Sequence, residues 1–330
     1  MNPPLLTLLA VTLLAAGPAL KEADSAPPAQ NKVTITVRGD KRIIESNGIP
    51  DHKVAAFPNR GNPNAIAEQK YRLEVPVHPQ PATEQPGRFP YAWGVALNGV
   101  VFDPGTAEVY NDGDRSNPWR YEALKSNTEM GTTPRIPTGL GLDQNHGHVQ
   151  PNGAYHYHGL PTLLIARLSG GENKMTHVGW AADGYPVYAV HAYADPADPK
   201  SALKAMKSSY RLKTAERGGD GQTSPTGKPD GSFGLDFEYV AGHGDLDEFG
   251  GRTGVTPEFP KGTYYYVLTE EFPFIPRKLK GTPDPSFNKT RMDPHANLGG
   301  QGGPGAKGGK KGKKGPPPGG FGGPPPSGPK

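Results

Sequence analysis

Cysteine is absent from the 330-residue chain. Its absence removes disulfide scaffolds, Cys-ligated zinc, iron–sulfur clusters, thiol nucleophiles and lipidation of an N-terminal cysteine. Long apolar runs are missing too, since no internal stretch approaches the roughly 18 residues of a membrane-spanning helix. Charge of one sign is scarce once its location is considered. The formal net charge is +4, but residues 299–330 hold six lysines and no acid, which leaves the preceding chain at −2. A body so close to neutrality has no footprint for a phosphate backbone, so nucleic acid is not an expected partner of the folded part. Signatures of common enzyme classes are also missing: there is no G-x-S-x-G elbow, no Walker loop and no Rossmann fingerprint.

Glycine (46) and proline (39) are abundant, together about a quarter of the chain, too much for a mainly helical protein. Residues 5–16 (LLTLLAVTLLAA) form a 12-residue apolar run, the length of a secretory h-region, and Ala19, Ala23, Ser25 and Ala26 offer small residues for cleavage. Residues 1–26 therefore read as a signal peptide. The mature protein is expected to be secreted or periplasmic, at the cell envelope, with no transmembrane segment.

Alternating or β-branched runs at 33–37, 71–77, 93–102, 163–168, 177–190 and 263–269 predict strands. Asn98-Gly99 and Asp183-Gly184 between such runs predict two-residue hairpins. One short helix fits 118–130, and 199–212, opened by Pro and rich in helix formers, is the best helix candidate. The expected fold is mainly β, a sandwich or partly closed barrel with few short helices. Residues 27–87 read as an N-terminal strand and loop extension, 88–280 as the main domain and 281–330 as a disordered Gly/Pro/Lys-rich tail. Two echoes recur inside the chain: 96–102 resembles 181–187, and 151–157 resembles 260–266. Their separations, 85 and 109 residues, differ, which suggests two uses of one hairpin and one turn-to-strand device.

Histidine carries the chemistry. His146, His148, His156 and His158, four of ten, fall within residues 142–161 (LDQNHGHVQPNGAYHYHGLP). After the turn Pro151-Asn152-Gly153, a strand of period two places His156 and His158 on one face, about 7 Å apart along the backbone. Imidazoles at that separation can lean onto one ion. In the second echo the tyrosines persist as Tyr264 and Tyr266, while His156 and His158 become Tyr265 and Val267. The histidine face is thus what the first copy adds. Candidate metal ligands are His148, His156 and His158, with Asp143 or His146 as the fourth. Neutral imidazole without thiolate suits zinc or copper. Three histidines and an open position describe a catalytic centre, whereas a fourth ligand describes a structural one. The competing reading is a pair of hydrogen-bonded histidines in a structural or adhesion module.

Asp183 and Asp247 are secondary carboxylates, either hydrogen-bonding to the ligand histidines or serving as alternative ligands themselves. The acidic loop Asp245, Asp247, Glu248 offers oxygen ligands to calcium, a weaker alternative without EF-hand spacing. The Lys-rich tail is either a solvated linker or a polycationic arm for an anionic cell-surface polymer, membrane or nucleic acid.

The block GAYHYHGLP at 153–161 resembles the YHYH family of secreted or envelope proteins. The likeness extends through WGVALNGV at 93–100, Leu142-Asp143 with Gly147-His148, GWAADGYPVY at 179–188, Leu246-Asp247-Glu248 with Gly251-Arg252, and FPFIPR at 272–277. The resemblance implies one domain over 88–280, an envelope or extracellular setting, and a shared site at Asp143, His148, His156, His158, Asp183 and Asp247. It implies no reaction.

Because the tail has nothing to bury, removal of 299–330 is expected to leave the melting temperature unchanged. A large fall on truncation would show that the tail belongs to the fold.

Overall fold

A computed structural model of the chain describes residues 25–83, 91–111, 114, 116–128 and 139–292. The apolar run at 5–16 and the Lys-rich tail lie outside the described residues. Among the described residues the strands are β1 (Val33–Arg38), β2 (Lys41–Ser46), β3 (Tyr71–Pro76), β4 (Gly94–Ala96), β5 (Val101–Phe102), β6 (Gly147–Val149), β7 (Tyr155–Tyr157), β8 (Thr176–Ala181), β9 (Pro186–Ala189), β10 (His191–Tyr193), β11 (Leu203–Ala205), β12 (Tyr210–Leu212), β13 (Phe237–Tyr239), β14 (Gly251–Gly254) and β15 (Thr263–Leu268). Among the same described residues helix is confined to α1 (Ala123–Thr128), α2 (Thr162–Ser169), α3 (Lys289–Met292) and two 3₁₀ turns. None of these helices is long and apolar enough to cross a membrane.

Eight strands form one open sheet in the order β14-β15-β9-β8-β4-β5-β7-β6. The order has a hidden symmetry. Matching β4 with β8, β5 with β9, β6 with β14 and β7 with β15 turns it into its own mirror list. The pairings agree: β4–β5 and β8–β9 are antiparallel, β5–β7 and β9–β15 parallel, β6–β7 and β14–β15 antiparallel. The two halves meet where β4 and β8 run antiparallel with Val95 opposite Trp180, Gly94 opposite Ala181 and Ala96 opposite Gly179. Flanking hydrogen bonds repeat across this centre, Leu97 N to Val178 O at 2.8 Å and Ala182 N to Trp93 O at 2.9 Å. The chain therefore carries one four-strand unit twice. The two echoes in the sequence are parts of this single duplication, and their separations differ because the second half holds the longer insertion, with β10–β13.

Close approach at the centre requires glycine on both sides. A Cβ on Gly94 would lie 2.6 Å from Trp180 O, and one on Gly179 would lie 2.4 Å from Val95 O, distances no real Cβ contact tolerates. Each β-hairpin has three loop residues: Ala96 N donates to Val100 O and Ala181 N to Tyr185 O, with Gly99 and Gly184 at φ of 79° and 95°. This is a three-residue loop closed by a left-handed glycine, one residue longer than the dipeptide signal suggests.

β1, β2 and β3 form a separate antiparallel sheet. Its buried Ile44, Leu73 and Val75 join the main core with Val95, Phe102, Tyr157, Val187 and Tyr266. The mainly β expectation holds as several sheets with few short helices. The eight-stranded sheet keeps two edges, β14 and β6, so it is not closed into a barrel.

Three local expectations are corrected. Residues 163–168 were expected as a strand and form α2. A short continuous apolar run does not discriminate helix from strand; here Pro161 precedes the helix, Gly170 at φ 68° ends it, and Leu164 is buried. Residues 199–212 were expected as a helix and supply β11 and β12, paired with β10 and β13, so long-range pairing overrides helix propensity. The tail was expected from 281, but 281–292 packs on the body. Phe287 is fully buried, Lys41 Nζ lies 2.6 Å from Asp284 Oδ2, and Gly281 N donates to Asp183 Oδ2 at 2.8 Å.

Replacing either central glycine with alanine is expected to destabilise the fold by at least ~2–3 kcal/mol through overpacking against backbone. Urea unfolding of Gly94→Ala and Gly179→Ala measures this, and a loss below ~0.5 kcal/mol for both would contradict the packing at the centre.

Candidate metal centre

Period two along β7 turns Tyr155 and Tyr157 to one face and His156 to the other, and His158 continues the histidine face just past the strand end. β6 lies antiparallel beside β7 with His148 directly opposite His156. Cross-strand pairing, rather than proximity in sequence, completes the group. His156 Nε2 and His148 Nε2 each lie 3.1 Å from His158 Nε2. All three nitrogens fall within 4.8 Å of one another. His156 and His158 are buried, and His148 on the edge strand is partly exposed.

The second nitrogen of each ring shows which lone pairs face inward. His148 Nδ1 is 3.0 Å from Leu140 O, and His156 Nδ1 is 3.3 Å from Ala154 O. A carbonyl only accepts, so both Nδ1 atoms carry the proton and both Nε2 atoms present bare lone pairs. His158 Nδ1 is buried without a partner. Protonation relieves nothing, because all three pKa values are depressed. Burial pushes His148 down to about 3, helped by repulsion from His156. Burial also lowers His156, and it lowers His158 strongly, with His148 and His156 adding repulsion there. A hydrogen-bonded cluster has at most one N–H, on His158, to serve two acceptors. An ion satisfies all three nitrogens at once, so the triad could hold a metal.

Asp143 and His146, expected as the fourth ligand, do not join this group. Asp143 Oδ1 accepts from Asn145 N at 2.8 Å and Gly147 N at 3.1 Å, and its Oδ2 accepts from Tyr155 OH at 2.8 Å. It locks the turn into β6 from the tyrosine face. His146 supplies that turn's residue at φ 52°, and its Nδ1 lies 2.8 Å from Leu160 O. Asp247 is the counterpart of Asp143 in the second half, accepting from Gly251 N at 3.1 Å and Tyr264 OH at 3.0 Å. Asp183 belongs to the second hairpin, where Tyr266 OH donates to its Oδ2 at 2.6 Å. In the first half Asn98 stands in its place beside Tyr157 OH, at 2.9 Å. None of these carboxylates reaches the histidines. The acidic loop is occupied by lysines: Lys204 is 2.7 Å from Asp245, Lys278 is 2.6 Å from Glu248 and Lys280 is 3.7 Å from Asp247.

A different carboxylate sits on the histidine face. β5 runs parallel to β7 with Val101 opposite His156 and Phe102 opposite Tyr157, and Asp103 N donates to Tyr157 O at 3.0 Å. Period two then turns Asp103 to the side of His158. Asp103 is buried, paired with Lys289 at 2.6 Å, and its charge partly offsets the depressed pKa of His148 and His156. The pair of buried Glu122 and half-buried Arg277, at 2.6 Å, adds a second charged group, and the Arg277 charge lowers His158 further.

The sequence model of the YHYH protein family matches residues 72–281, which spans β3 to Gly281 and includes both halves of the large sheet. The chain belongs to the YHYH protein family. No curated protein and no solved structure matches it. In this YHYH chain the tetrapeptide Tyr155–His158 has two faces with separate tasks: the tyrosines bind the turn carboxylate and the hairpin Asn98, and the histidines build the candidate metal centre. Asp183 has no part in that centre, yet it sets a measurable property of the fold.

Burial raises the Asp183 pKa to about 6, against hydrogen bonds from Tyr266 and Gly281. A carboxyl whose folded pKa exceeds its unfolded value contributes stability below the unfolded value and loses it as pH rises through about 6. The unfolding free energy of the wild type minus that of Asp183→Asn is therefore expected to fall between pH 4 and 7, on the order of 2–3 kcal/mol. The subtraction removes the opposing contribution of the histidines. A flat difference would contradict the burial of this carboxyl.

Proposed function

We propose that this YHYH protein binds one first-row transition ion, zinc or copper, through His148, His156 and His158, as a secreted or periplasmic protein of the cell envelope. The convergence of three Nε2 lone pairs carries the reading. Two nitrogens that each sit about 2.0–2.1 Å from one ion at a tetrahedral angle lie about 3.3 Å apart, close to the 3.1 Å of two of the pairs. Neutral imidazoles suit zinc and copper, and the Nδ1–carbonyl contacts of His148 and His156 are the outer-shell hydrogen bonds that orient metal-binding histidines. The envelope setting is supported by the apolar run at 5–16 and the small residues that follow it. In that setting the Lys-rich tail suits an anionic cell-surface polymer.

Asp143 and His146 are engaged elsewhere, which favours a centre with three protein ligands over a closed structural one. A bound ion with an open position supplies Lewis-acid or redox chemistry. This makes a metal-dependent hydrolase or oxidase the second reading.

Metal content by mass spectrometry, on protein purified without chelator or affinity histidine tag, tests the proposal. About one equivalent of zinc or copper is expected in the wild type and well under a tenth of that in His156→Ala/His158→Ala. His148→Ala, at the partly exposed edge, is the variant expected to fold normally and still lose most of the ion. Wild-type protein that stays metal-free after equilibration with zinc and with copper would sink the reading and leave the histidines structural.

A further inference from the structure

The duplication gives each half a cavity at the same place in the sheet. Val101 and Ala154 line the one in the first half, and their counterparts Pro186 and Thr263 line the one in the second. What differs is the cover. α3 brings Lys289 and Met292 to the wall of the first cavity, which holds about 60 Å³. The second is bordered instead by residues 77–80, just after β3, and holds about 250 Å³. His78, Gln80 and Gly262 in its wall are exposed, so it opens to the surface.

The wall of this larger cavity combines two chemistries and carries no fixed charge. Trp180, Phe259 and Pro186 supply apolar surface. The indole is held on several sides: the Arg42 guanidinium carbon lies 3.5 Å from its ring centre, the His177 ring stands nearly perpendicular at 4.6 Å, and the Phe259 ring lies 6.3 Å away at 83°. An aromatic wall set before a ligand arrives lowers the ordering cost of binding. His78, Gln80 and Thr263 supply the polar side. Among the described residues neither the His78 nor the Gln80 side chain has a hydrogen-bond partner. Thr263 Oγ1 donates to Tyr264 O at 3.1 Å, which leaves its lone pairs to accept. No Asp, Glu, Lys or Arg contributes to the wall.

We propose that this cavity is a second binding site, for one neutral sugar ring of hexose size. The site belongs to the second half of the sheet and stands independently of the metal reading. At about 30 Å³ per water in the liquid, its volume equals that of roughly eight waters, room for one ring with its hydroxyls and not for two. The uncharged wall sets the class of ligand. An ionic ligand would lose hydration on entry and meet no opposite charge in the wall. A wholly apolar ligand would leave the edge formed by His78, Gln80 and Thr263 unmatched. A hexose fits both sides: its C–H groups lie against the indole and phenyl surfaces, and its hydroxyls, each a donor and an acceptor, meet the amide, imidazole and hydroxyl at the edge. A free monosaccharide and the terminal unit of a polysaccharide present the same ring.

Saturation-transfer NMR on the full-length protein tests this, with the melting temperature recorded for every variant. The probes are glucose, galactose and N-acetylglucosamine, oligosaccharides ending in each, and glucuronate and cyclohexanol as the charged and apolar controls. At least one neutral sugar is expected to bind, with both controls weaker by about tenfold or more. His78→Ala/Gln80→Ala, at exposed positions, is expected to keep the melting temperature and to weaken that sugar about tenfold, the worth of roughly two hydrogen bonds. Phe259→Leu keeps apolar volume but removes the ring, and should weaken the sugar about threefold while leaving cyclohexanol unchanged. His148→Ala, in the other half, should bind the sugar as the wild type does. Tighter binding of the oligosaccharide assigns the site to the end of a glycan, and equal binding assigns it to the free sugar. The proposal is overturned by the absence of saturation transfer from every sugar, by equal affinity in the wild type and His78→Ala/Gln80→Ala, by cyclohexanol or glucuronate binding as tightly as the sugars, or by loss of binding in His148→Ala.

Discussion

Everything in the large sheet extends outward from one contact, the antiparallel crossing of β4 and β8. Gly94 and Gly179 let the two backbones meet there. Two copies of a four-strand unit are joined at this crossing, with Val95 opposite Trp180. Strand pairing then propagates the register to both edges, and the direction of each side chain follows from period two. A one-residue slip anywhere between β4 and β7 would turn His156 and His158 into the tyrosine core. The position of three imidazoles at one edge is thus inherited from packing at the centre.

The two halves differ in what they do with equivalent positions. Tyrosine, asparagine or aspartate on one face build the same hydrogen-bonded frame twice: Tyr155 with Asp143 and Tyr264 with Asp247, Tyr157 with Asn98 and Tyr266 with Asp183. On the other face the second half is filled by Tyr188, Tyr265 and Val267 beside Arg252, and the first carries three imidazoles and the Asp103 carboxylate. Burying neutral imidazoles with lone pairs aimed at one another is costly unless something satisfies them. The imidazoles bring that cost to the first half, beside the buried carboxylate of Asp103. Polar groups placed where a packed alternative exists on the same scaffold point to a task other than stability.

Much of the site was legible in the sequence for a simple reason: His156 and His158 are near neighbours in one strand, and His148 is reached by the turn at 151–153. Alternation carries that information, and so does the tyrosine echo at 264–266. The fourth-ligand expectation failed because Asp143 and His146 are spent on the turn that leads into β6, a role the spacing does not display. Asp103 was invisible because the parallel pairing of β5 and β7 brings it to the histidine face across more than fifty residues of chain, and Lys289, its partner, arrives from a segment that composition assigned to the tail. Misread elements share a cause. α2 and the strands at 203–205 and 210–212 take their form from partners distant in sequence, whereas the hairpins at Asn98-Gly99 and Asp183-Gly184 are set by local backbone preference and were read correctly as hairpins.

Anomalous X-ray diffraction from crystals of the wild type, grown without chelator and equilibrated with zinc or copper, tests the central claim most directly. The account predicts a single strong peak about 2.0–2.1 Å from the Nε2 atoms of His148, His156 and His158, with Asp143 still bonded to Tyr155 on the opposite face. A fully occupied peak elsewhere, or none while the imidazoles stay in contact with one another, would contradict it.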